Sequence, residues 1–121
     1  MRYNVSTKCK LFTTNAVTFG LAAVSTGMTR WVTFIHATNE YGGEQDLYFA
    51  STTVSNGAST VAYASTNKKL VLRVTPNQNL EIPMGGAPSA ETPLFSIAAG
   101  AFLCMKPNRG QAQVTIQYLD Q

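Results

Sequence analysis

The sequence predicts an all-β fold, an antiparallel β-sandwich or jelly-roll-like domain of about eight to ten short strands. Three observations carry that prediction. Apolar residues recur with period two along nearly the whole chain, the pattern of half-buried strands. The apolar runs are short and are separated by turn chemistry, notably Gly42-Gly43, Ser55-Asn56-Gly57 and Pro107-Asn108-Arg109-Gly110. No segment keeps a convincing helical period. Asn15–Val24 is the best helix candidate, and its Val17, Thr18, Phe19 and Gly20 favour strand. An up-and-down barrel is the second architecture this pattern allows. The 121 residues fit one domain, 1–121, and their 45% hydrophobic content supplies a core without staples.

Taken in order, Tyr3, Val5, Cys9 and Leu11 alternate with Asn4, Ser6, Lys8 and Lys10. This predicts a first strand with the apolar set turned inward. The alternation continues through Val17, Phe19, Leu21 and Ala23. Arg30–Ala37 carries apolar residues on both parities, Trp31 and Ile35 on one, Val32 and Phe34 on the other, as a central strand does. The loop Asn39–Asp46 turns at its paired glycines. Leu47–Val54 follows, then the Ser55-Asn56-Gly57 turn and a short strand over Thr60–Ala64. Lys69–Thr75 places Leu70, Leu72 and Val74 inward. Leu80–Ile82 is brief. Pro83–Pro93 holds three prolines and two glycines in eleven residues, a composition that excludes helix and central strand. Leu94–Ile97, a turn at Ala99-Gly100, Ala101–Lys106 and a last strand over Gln111–Leu119 complete the pattern.

Charged residues make up 12% of the chain, about half the usual share near 25%. The net charge of +3 is spread over scattered basic residues, with only Lys68 and Lys69 adjacent. Arg2, Lys8 and Lys10 share a parity, but so short a stripe without a motif excludes a strong nucleic-acid reading. The two cysteines, Cys9 and Cys104, have neither the spacing of a metal site nor a CxxC motif. Buried free thiols are the expectation, with a disulfide open if the termini lie side by side. The N-terminal residues lack the apolar core of a secretory signal, and no apolar run approaches a membrane span. The chain reads as soluble and made in a cytoplasm.

Catalytic machinery is hard to assemble from these residues. His36 is the only histidine, and no G-x-S-x-G or paired acid completes a triad around it. Glu40, Glu44 and Asp46 cluster near the paired glycines, yet their spacing does not match a calcium loop. Gly42-Gly43 and Gly85-Gly86 open no helix and are read as turns rather than phosphate cradles. The expectation is therefore no enzyme, no metal and no cofactor. Among the aromatics, Tyr41 in the glycine loop is the first candidate for stacking on a sugar. A lectin-like carbohydrate-binding module is accordingly the chief alternative to a protein-binding role.

A sandwich with few charges to guard its edges is well placed to assemble with other protein. The phrase Trp31–Asn39 (WVTFIHATN), the glycine loop and Leu47–Val54 resemble small virion structural proteins of tailed bacteriophages. Phe95–Cys104 (FSIAAGAFLC) followed by Ala112–Leu119 (AQVTIQYL) extends the resemblance over roughly residues 31–119. The chain departs from that pattern at Pro83–Pro93 and in its first thirty residues. The resemblance implies a capsid decoration (cement) protein that bridges major capsid subunits as a homo-oligomer, trimers being favoured. Neck, tail or fibre components are the neighbouring possibility. It implies a virion location after assembly in the host cytoplasm, with no nucleic acid or membrane as partner. The segments expected to touch neighbours are an arm at residues 1–12, with Arg2, Tyr3, Val5, Lys8 and Lys10, and the loop 83–93, with Met84, Pro88 and Pro93.

Overall fold

A computed structural model describes residues 5–13, 17–53, 68–83 and 93–121. The Ser55-Asn56-Gly57 turn, the strand expected over Thr60–Ala64 and most of the Pro83–Pro93 loop lie outside the described residues. So do Arg2, Tyr3, Met84 and Pro88. Nine strands are described: β1 (Ser6–Phe12), β2 (Val17–Thr18), β3 (Arg30–Asn39), β4 (Gln45–Thr52), β5 (Lys68–Val74), β6 (Asn79–Ile82), β7 (Phe95–Ile97), β8 (Phe102–Pro107) and β9 (Ala112–Asp120). They form two antiparallel sheets, the architecture of a β-sandwich. The first has the order β1-β9-β3-β6, with β7 also pairing β3. The second has the order β2-β8-β4-β5.

The alternation in each strand decides what fills the space between the sheets. Val32, Ile35 and Ala37 from β3 and Ala112, Val114 and Ile116 from β9 meet Leu47 and Phe49 from β4, Leu72 and Val74 from β5, and Leu103 and Met105 from β8. Phe12, Phe19, Phe49 and Phe95 form an aromatic chain through this core. Phe12 and Phe19 meet edge to face at 5.3 Å, and Phe19 stacks on Phe49 at 6.3 Å. Gly20, at φ +78°, follows β2 after one residue and ends it early, where the sequence alternation continues to Ala23.

Two strands differ from the sequence reading in which face they bury. In β1 the parity is reversed. Phe12 packs in the core, so Lys8 and Lys10 share its inward parity, and Val5, Cys9 and Leu11 face out. One fully buried phenyl outweighs three smaller apolar groups left half in water, since stabilisation follows the area removed from solvent. In β3 the register slips between Val32 and Phe34, leaving Thr33 in a bulge. Its hydroxyl donates to the Gln117 carbonyl at 3.2 Å. The extra residue puts Trp31, Phe34, His36 and Thr38 on the outer face and Val32, Ile35, Ala37 and Asn39 inside. Trp31 and Ile35 are thus on opposite sides.

Polar residues fasten both ends. At one end Asn39, fully buried, donates to the carbonyls of Gly43 (2.9 Å), Thr75 (2.9 Å) and Val74 (3.2 Å). Its oxygen accepts from the Tyr41 amide at 3.0 Å and from Gln45 Nε2 at 2.6 Å. Gln45 Oε1 in turn accepts the Arg109 amide at 3.3 Å, so two side chains bind the loops after β3, β5 and β8 together. At the other end Arg30 holds Asp120 through two bonds of 2.8 and 2.9 Å and lies over the Tyr118 ring at 4.9 Å.

Candidate protein-interaction surface

The outer faces of the two sheets differ in chemistry. On the second sheet Arg73 pairs with Asp46 through two bonds (2.9 and 3.1 Å) and approaches Glu44 at 3.5 Å. The hydrogen bond and charge of Asp46 raise the Arg73 pKa further. Lys68 sits over the Tyr48 ring at 5.4 Å. Ala50, Cys104 and Lys106 are buried on this side, and burial pushes the Cys104 thiol up to about 11 and the Lys106 ammonium down. Two of the three acids that raised the calcium question, Glu44 and Asp46, thus serve Arg73. No group of three or more His, Cys, Asp or Glu among the described residues is placed to hold a metal ion.

The outer face of the first sheet carries almost no charge. Strand pairing sets Leu11 beside Gln113, Gln113 beside Thr38, and Thr38 beside Asn79. The next row runs Cys9, Thr115, His36 and Glu81 across all four strands. A third brings Thr7, Gln117 and Phe34 together, and Trp31 stands further along β3. Leu11 is 52% exposed, and Val5, just before β1, is 45% exposed. Trp31, Phe34, His36, Thr115 and Gln117 are half-buried, as central-strand side chains on an open sheet face are. Among the described residues of these strands, only Glu81 and His36 bring to this face an ionisable group other than a thiol. Two short bonds stiffen the face: Thr38 Oγ1 donates to Asn79 Oδ1 at 2.6 Å, and Gln113 Nε2 donates to the Cys9 sulfur at 3.6 Å.

Comparison with protein-family models, with curated proteins and with solved structures finds no match. The surface must therefore be read from its own residues.

The residues singled out from the sequence divide across this geometry. Val5 borders the face as an exposed apolar group. Lys8 and Lys10 do not join it, because the reversed parity of β1 turns them toward the rim between the sheets. Lys8 there passes 3.8 Å from where a Cβ on Gly20 would stand, and the Lys10 ammonium lies 5.9 Å from the Phe12 ring centre. Pro93 is half-buried just before β7, at the opposite edge of the same sheet. Val5 and Pro93 therefore lie toward opposite edges of one sheet. Cys9 is exposed and Cys104 is buried, both free. This corrects the expectation of two buried thiols and leaves no disulfide between them. Tyr41, the first candidate for a sugar, packs against Gly43, where an added Cβ would come within 3.2 Å of its ring. Sequence parity alone hides the face, since Trp31, Phe34 and His36 share it only through the Thr33 bulge.

Proposed function

We propose that this chain is a non-enzymatic virion structural protein of the capsid-decoration type, docking on a protein lattice through the outer face of its first sheet. The observation that carries this reading is the chemistry of that face. It is broad, it presents Trp31, Phe34, Leu11 and Val5 among uncharged Thr, Gln and Asn side chains, and among the described residues it bears no lysine or arginine. Protein interfaces are marked by that composition, with aromatic anchors and few charges at the centre. The loose resemblance of residues 31–119 to small virion proteins of tailed phages supplies the identity of the lattice and favours trimers on it. Neck, tail or fibre placement would use the same surface.

The mechanism is mechanical. One copy covers a junction between capsid subunits, and repetition over many equivalent sites sums modest contacts into resistance to outward pressure. The test is co-sedimentation with capsids built from the major capsid protein of the same virus. Saturable pelleting at a fixed ratio to capsid subunits, lost in Trp31→Ala with the fold retained by circular dichroism, supports the reading. Absence of pelleting from every capsid, neck and tail preparation of that virus removes it. A sugar that displaces the bound protein would return the lectin alternative, with Trp31 and Phe34 as the stacking platform.

A further inference from the structure

We propose that, free in solution, the protein pairs with a second copy of itself face to face through the outer surface of the first sheet, so that the docking surface is covered until a lattice displaces the partner. This rests on reading that surface as a protein-contact face.

The edges argue against other modes of pairing. Among the described strands the long edges carry cations, with Lys8 and Lys10 turned inward on β1 and Lys68, Lys69 and Arg73 on β5. The remaining edges are short, two residues in β2, four in β6 and three in β7. Inward-turned charges and short strands are how sheets resist strand addition. A second copy is thereby directed to a face. The second sheet's outer face keeps Lys68 and Lys69 beside the Arg73–Asp46 pair, whereas the described residues of the first sheet's face include no lysine or arginine.

Area and charge then fit a two-fold pair. Strands of seven, nine, ten and four residues, at about 3.3 Å per residue and about 4.8 Å apart, give roughly 480 Å² per copy. Two copies bury roughly 950 Å², below the range of stable specific interfaces, so the pair is weak and opens readily. An axis parallel to the strands lays β9 of each copy over β3 of the other. It also holds the two Glu81 carboxylates, the formal negative charges among the described residues of the face, at opposite margins.

Sedimentation velocity across the micromolar range tests this without any capsid. The expected result is a monomer–dimer equilibrium that Leu11→Glu and Gln113→Glu each shift at least tenfold toward monomer. Val71→Glu, a like change at a 43% exposed position on the other sheet, should leave it unmoved. A wild type monomeric throughout, a trimer, or a dimer indifferent to Leu11→Glu would overturn the pairing. Capsid co-sedimentation is read separately. Pelleting by a strictly monomeric protein sinks the pairing and spares the docking reading, and a dimer that never pellets does the reverse.

Discussion

At the scale of single residues, stability concentrates in a few buried polar groups. Asn39 gathers three carbonyls, one amide and the Gln45 side chain around one amide group. A buried donor or acceptor left without a partner costs about 1–3 kcal/mol. Asn39→Ala strands several at once and is expected to lower unfolding stability by about 3 kcal/mol or more. Urea titration should show this as a lower midpoint with an unchanged slope. Cys104 gives a pH signature. Its folded-state pKa lies near 11 against an unfolded value of 9.0, so the folded protein holds the proton longer. The associated stability is whole below pH 9 and declines as pH rises through about 11, by about 2 kcal/mol. Comparing wild type with Cys104→Ala from pH 8 to 11 isolates this from the titration of tyrosines and lysines. Parallel stability curves for the two proteins would refute it.

At the scale of elements, strand existence was legible in the sequence among the described residues, and strand orientation was only partly so. The alternations of β5 and β9 predict their buried sets, because each has a single apolar parity: Leu70, Leu72 and Val74 in one, Ala112, Val114 and Ile116 in the other. β1 offers Val5, Cys9 and Leu11 on one parity and only Phe12 on the other, and the larger ring takes the core. β3 is apolar on both parities, and nothing in its composition marks Thr33 as the bulge that sorts them. The candidate face was thus illegible for a physical reason: it is a product of register, which depends on β9 and not on β3 alone. The same reversal gives Lys8 and Lys10 a role, as cations turned inward along an edge. Replacing both with valine, which favours strands, removes that guard. The Lys8→Val/Lys10→Val protein should keep its β circular dichroism yet scatter light increasingly with concentration, while the doubly Arg-substituted form stays clear. A valine form as monodisperse as wild type would show that the edge is protected by something else.

At the scale of the whole molecule, the distribution of charge gives the proposed protein lattice and a nucleic acid different salt signatures as partners. Arg73, Lys68 and Lys69 belong to the second sheet and Lys8 and Lys10 to the rim, so the described residues of the proposed docking face offer a phosphate backbone no lysine or arginine. A protein that neutralises several phosphates loses affinity about a thousandfold or more between about 50 and 200 mM salt, because its binding releases condensed counterions. Contact through Trp31, Phe34, Leu11 and amide side chains releases none. It depends on desolvated area and short hydrogen bonds, which added salt screens little. Capsid occupancy measured by co-sedimentation over that salt range is therefore expected to change by less than about threefold. A steep decline would place the contact on the basic edges. It would also revive the Arg2, Lys8 and Lys10 stripe as a binding element, and with it an anionic partner. A flat response, together with loss of binding in Trp31→Ala, would locate the contact on the uncharged sheet.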